Sequence, residues 1–277
     1  MFSKLLAAGD FAQWATFVSP AFFEVMPAQP LWRRFKDLAR GSRDTVAYQR
    51  ALSERREQLH RSALPIALED RASTGSAPPG GAAAPPAGPP ELDVTQARAQ
   101  RLVELYFHQL FHGEVTLLDL RRESFSSELP LTWRPAAWVV RWDAGFLVAL
   151  RQLYAGFYRE DSDQFRAGLA ALHLSHAQDV FRQHFGDGQR AVRFQVRDFV
   201  ATFHQVFSTC KQAHVQLHPD FLPLGLYLAT LYDHLEQLSA RVDVFAAFHT
   251  GAALPPAAAE SSSARHVSLA NPGEPRS

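Results

Sequence analysis

The sequence predicts a mostly α-helical protein, a helical bundle with one small β element, and three observations carry that prediction. Apolar residues recur at helical spacing along most of the chain beyond residue 93, as in Leu102, Leu105, Tyr106 and Leu110, or Phe199, Phe203 and Phe207. Capping and breaking residues, among them Asp93, Asp161, Gly186 and Pro219, bracket those stretches. One short apolar run, 115–118, follows directly on a helix-ending glycine, Gly113, and reads as a strand.

In the N-terminal section, 1–62, Asp10 can cap a helix over 11–18 that Ser19-Pro20 ends. Pro27 and Pro30 then mark a loop before a helix over 31–39, and Ser42 or Asp44 starts a third over 45–60. The run Ser53-Glu-Arg-Arg-Glu-Gln58 within it reads as a solvated face. From 63 to 92 proline, glycine and alanine dominate, a composition that cannot bury enough surface to offset chain entropy, so a disordered linker is expected. No basic residue stands beside its prolines to make it an SH3-type ligand.

The main domain is expected over 93–249. Asp93 and Gln96 form a capping-box-like start for a helix over 94–112, and the strand over 115–118 ends at Asp119. A long helix is predicted over 136–158 from Trp138, Trp142, Phe146, Leu150 and Leu153. The tryptophans, Trp133 among them, are read as core and not as a base-stacking platform. Further helices follow over 164–174 and 177–185, the second closed by Gly186-Asp-Gly188, then over 193–215 and 220–238, with a final turn over 242–248. The tail, 250–277, is rich in alanine, proline and serine and is expected to be disordered.

Composition excludes several classes. With 28 Lys+Arg against 28 Asp+Glu, no global field draws the chain to nucleic acid or to an anionic surface. Only Lys4, Lys36 and Lys211 are lysines; the rest of the positive charge is arginine. The single cysteine, Cys210, excludes an intramolecular disulfide and a cysteine-rich zinc site, and reads as a small buried thiol. The apolar run 221–232 falls short of the ~20 residues of a membrane span. The N-terminus lacks the basic region and cleavage site of a signal peptide. A cytoplasmic protein is therefore expected, for which peripheral contact with a membrane needs no span.

Histidines supply one candidate site. Glu104, His108 and His112 recur at i, i+4 and i+8 on one helix face, which suggests three ligands for a metal or haem in a helical bundle. Among 12 histidines some i+4 pairs arise by chance, and no Glu-x-x-His pair recurs on two helices, so satisfied core or surface histidines are the competing reading. No Gly-x-Ser-x-Gly elbow, dinucleotide-binding turn or P-loop occurs.

Gln109-Leu-Phe-His-Gly113, Leu117-Leu-Asp-Leu-Arg121, the stretch 154–161 and the late helix 218–236 together resemble the C-terminal lobe of the UbiB/AarF family of atypical kinase-like proteins. The resemblance covers roughly 98–248. It implies a kinase-like lobe in which Asp119 is the carboxylate that binds metal and nucleotide, with Mg-ATP as cofactor. The chain departs from the family in lacking the catalytic segment His-x-Asp-x-His-Pro-x-Asn: only Glu114, Val115 and Thr116 separate Gly113 from Leu117. Arg121 replaces the glycine of Asp-Phe-Gly, and no lysine-bearing nucleotide lobe is found in 1–92. The resemblance so reduced implies a non-catalytic protein that binds a protein partner, self-associates or modulates a kinase-like homologue, with no cofactor required. The alternatives are a divergent UbiB-like ATPase that takes its nucleotide lobe from another chain, and a histidine-ligated metal or haem bundle. A lobe without its companion is expected to expose apolar residues at 110–120 and 125–133 as the partner surface.

Overall fold

A proline in the first turn of a helix has no N–H to lose there, and this sets where the N-terminal helices begin. The computed structural model describes residues 20–62, 64–71 and 92–253. Helices α1 (Pro20–Val25) and α2 (Ala28–Gly41) follow one another, with Pro30 in the first turn of α2 and not in a loop. Helix α3 (Thr45–Ser62) starts at Asp44, whose Oδ1 accepts from Ala47 N at 2.9 Å. The expected helix over 11–18, most of the linker and nearly all of the tail lie outside the described residues.

Two further expectations fail in this section. Strand β1 (Ile66–Leu68) lies inside the expected linker and pairs in parallel with β3 (Leu131–Trp133), Ile66 opposite Leu131 and Leu68 opposite Trp133. The charge run of α3 is not wholly solvated either. Tyr48, Leu52, Arg55 and Leu59 form one buried stripe at helical spacing, and Arg55 on it is only 3% exposed.

Helix α4 (Leu92–Phe111) is the axis of the molecule, buried at every position from Leu102 to Leu110. Each fully buried leucine contributes about 1.5–3 kcal/mol over its exposed state. Asp93 at its start lies outside the described side chains, so the expected capping box does too, and Gln96 donates to the Arg241 carbonyl. Strand β2 (Val115–Leu117) pairs antiparallel with β4 (Val139–Arg141), Val115 opposite Arg141 and Leu117 opposite Val139. The helix predicted from 136 therefore begins only at α5 (Ala144–Tyr158). Val139 and Val140 favour a pleated strand, and Asp143 caps the helix by accepting from Phe146 N at 2.9 Å.

Helix α6 (Ser162–Ala171), capped by Asp161, crosses α5 at close range. A Cβ on Gly156 would stand 2.2 Å from Phe165 N, and one on Gly168 2.5 Å from Leu153 N. The chain continues through α7 (Gln178–His184), β5 (Ala191–Arg193), α8 (Val196–Gln212), α9 (Phe221–Leu238), β6 (Arg241–Asp243) and α10 (Val244–Gly251). The predicted helix from 193 and the final turn from 242 thus each begin in a short strand, and these two strands pair antiparallel, Val192 opposite Val242.

One buried apolar cluster runs from Phe22 to Ala252 and takes in Leu31, Tyr48, Leu52, Ile66 and Leu68 beside the leucines of α4. The described N-terminal residues thus share the core of the main domain. Leu110, Leu117, Leu118 and Leu120 belong to that core, so the apolar partner surface expected at 110–120 is covered by the chain itself. In the loop after it, Phe125 is half-buried and stacks on Trp133 at 5.9 Å, while Leu129 remains 42% exposed. No described helix is long and apolar enough to cross a membrane.

Candidate functional site

The loop that leaves β2 is tied together by Asp119. Its carboxylate is fully buried and accepts from Arg121 Nε at 2.8 Å, Ser124 Oγ at 2.6 Å and Ala136 N at 2.7 Å. Arg121 N and Nη2 add longer contacts of 3.3 Å each, and Trp133 Nε1 donates to the Asp119 carbonyl at 2.8 Å. Arg121, where the resembled motif has glycine, also meets Glu123 at 3.2 Å and lies 4.1 Å from the Trp138 ring centre. Asp119 therefore serves as the knot of the 118–136 loop, with its oxygens turned to internal donors.

Glu104, His108 and His112 do share one face of α4, yet they do not converge. Steps of four residues climb about 6 Å each, so Glu104 and His112 start about 12 Å apart along the axis, too far for one ion with bonds near 2 Å. Glu104 turns to Arg101 at 2.5 Å, and burial raises its pKa against the opposing pull of that arginine. His112 Nε2 contacts the Gly251 carbonyl at 3.0 Å. His108 is 1% exposed, and burial, with Arg55 and His112 nearby, pushes its pKa down to about 3 against the opposing effect of the Gln58 backbone. Among the described residues no group of three His, Cys, Asp or Glu side chains is placed to hold a metal ion, which corrects the ligand assignment. Cys210 is buried with its thiol pushed up to about 11 by burial, while His214 lies beyond the end of α8.

The feature that sequence reasoning missed stands at the C-terminal end of α4. The last carbonyls of a helix carry partial negative charge and lack partners. Two arginines supply them. Arg55 Nη2 donates to Val115 O at 2.8 Å and Gln109 O at 3.4 Å, and Arg151 donates to Leu110 O at 2.6 Å and Gly113 O at 2.7 Å. Gly113 leaves room for this, since a Cβ there would stand 3.0 Å from Arg55 Nη2. Burial lowers the Arg55 pKa to about 10, so the guanidinium stays charged at neutral pH. The signal for Arg55 was its place on the Tyr48, Leu52, Leu59 stripe.

Beside Arg55 a cavity of about 300 Å³ opens between α3 and the β2–β4 ribbon, lined by Glu54, Gln58, Gly113, Glu114 and Arg141 among others. A groove of about 230 Å³ adjoins it and shares Ala51, Glu54, Val115 and Arg141. Its floor is apolar, with Leu38, Val139 and Val140, and its rim carries Asp37, Arg50 and Arg141. Two cavities among the aromatic residues of the core hold only about 30 Å³ each. Compared with protein-family models and with curated proteins, the chain matches none.

Proposed function

We propose that the chain is a non-catalytic helical protein, kinase-lobe-like in plan, that acts by binding a protein partner. The observation that carries the reading is the commitment of Asp119. The one carboxylate that the resemblance would assign to metal and nucleotide is fully buried among Arg121, Ser124 and Ala136. Phosphoryl transfer requires metal and phosphates positioned among several groups at once, and a sequestered carboxylate contributes nothing to that. Binding is supported by the groove between α2, α3 and β4, whose apolar floor and charged rim have the composition of an interface.

Two measurements test this. The chain is expected not to hydrolyse ATP and to gain no thermal stability from Mg-ATP, whereas a ligand at a hundredfold excess over its Kd adds roughly 2.7 kcal/mol. A melting shift that Asp119→Asn removes would restore the ATPase reading. In sedimentation, the full chain is expected to run above its 30.9 kDa monomer mass, alone or with a purified partner. Ala47→Trp, which fills the groove, is expected to return it to monomer without changing its melting. A clean monomer that binds no other chain would refute partner binding.

A further inference from the structure

A guanidinium taken out of water is costly unless a counter-charge stands beside it. Arg55 is 3% exposed, and no carboxylate of the described residues lies within ion-pair distance of it. Its Nη2 is used on the carbonyls of Gln109, at the helix end, and Val115, in β2, but its Nη1 has no partner. Gln58, one turn further along α3, has its Oε1 buried without a partner as well, and both residues line the cavity of about 300 Å³. The other charges at this cavity form no ion pair with Arg55, although Glu54 acts on it favourably from the surface. Glu114 is paired with Arg141 at 3.3 Å, and Glu54 is exposed and makes no ion pair. Arg151, which holds the Leu110 and Gly113 carbonyls at the same helix end, is a second cation and disfavours the charge on Arg55.

We propose that this cavity binds a small free oxyanion, a carboxylate or a phosphate, with Arg55 as its anchor. The planar guanidinium matches an oxyanion in shape and hydrogen-bond direction. The volume stands at the lower end of the range for small-molecule sites, which suits a ligand of metabolite size. Gln58 can present either its amide oxygen or, turned over, its amide NH2 to the same molecule. The cavity adjoins the groove proposed for a protein partner and shares Glu54 and Arg141 with it, but Arg55 and Gln58 line the cavity alone, so the anion site does not depend on that reading.

The full chain is melted in inorganic phosphate and in succinate, each titrated against sodium chloride at matched ionic strength. Phosphate also stabilises proteins by exclusion from their surface, without saturation. The proposal therefore requires a saturable rise that Arg55→Met abolishes. Glu54→Gln removes a negative charge from the rim without touching the core, and should lower the half-saturating concentration several-fold. A merely structural Arg55 would not produce that change, so the second variant decides the matter even where Arg55→Met fails to fold. Equal melting in all three salts, a rise retained in Arg55→Met, or a half-saturation unmoved by Glu54→Gln would overturn the site. A hexaglutamate peptide that stabilises the chain where neither free anion does would overturn the assignment to a free ligand.

Discussion

Replacing Asp119 with alanine should unfold the molecule more readily than it changes any activity. The substitution removes the acceptor for Ser124 Oγ, for Ala136 N and for the Arg121 side chain, all inside the protein. Arg121 keeps Glu123 at 3.2 Å, but that partner is half-exposed and cannot replace a buried carboxylate at 2.8 Å. Breaking a buried ion pair by deleting one partner costs about 3–5 kcal/mol. That is a large share of the roughly 5–15 kcal/mol of a typical domain. At about 2–4 °C per kcal/mol for a protein of this size, the melting temperature should fall by about 6–20 °C. Urea unfolding followed by circular dichroism measures the same quantity independently. Ser124→Ala, which deletes one donor and leaves the carboxylate with Arg121, should cost less, about 1.5–3 kcal/mol. An Asp119→Ala protein within about 1 kcal/mol of the unaltered chain would refute the assignment of Asp119 as the knot of its loop.

His108, buried with a pKa near 3 against an ordinary 6.5, takes up its proton in the unfolded chain first. The stability it leaves intact above pH 6.5 is therefore lost as pH falls toward 3, and His108→Leu should flatten that acid limb in pH-dependent urea titrations without weakening the fold at pH 7. His234, held near 4 chiefly by burial, should keep part of the limb in place. Gly168→Ala drives a methyl group to 2.5 Å from the backbone of Leu153, and should cost about 1–3 kcal/mol in thermal melting. Cys210, with its thiol raised to about 11 by burial, should react with a thiol reagent only as fast as the chain unfolds; fast labelling of the native protein would contradict its placement.

The long elements were legible because their signals are local. The apolar face of α4, the glycine after it and the strand at Val115 could be read in a window of a few residues, as could the caps Asp44 and Asp161. Strand β4 was hidden because Trp138, Trp142 and Phe146 also satisfy a helical repeat, and only Asp143 marks where the helix begins. Strand β1 was hidden for another reason: it exists through its pairing with Leu131–Trp133, and nothing in its own three residues announces that partner. The site was less legible than the fold. Spacing places Glu104, His108 and His112 on one face, but sharing a face is not convergence, since the same spacing sets about 6 Å of rise between successive members, and a charge run does not reveal which arginine turns inward. Asp119 was found for its position after a strand, yet its role depends on donors from Ser124 and Ala136 that come round only when the loop closes.

The parallel pairing of β1 with β3 means that the chain before Arg71 and the chain after Leu92 complete one another. Neither contains a finished core: Tyr48 donates to the Pro135 carbonyl at 2.9 Å, Arg134 reaches Glu69 at 2.7 Å, and Ile66 packs in the same cluster as Leu131. Covalent continuity between them is then a convenience for folding, since it raises the concentration of one part about the other. Expressed as two polypeptides, the part ending at Arg71 and the part beginning at Leu92 should recognise each other and reassemble as a non-covalent whole. The N-terminal part behaves in this respect as a subunit that happens to be tethered, and a split at this point offers a handle for switching the protein on by supplying the missing half.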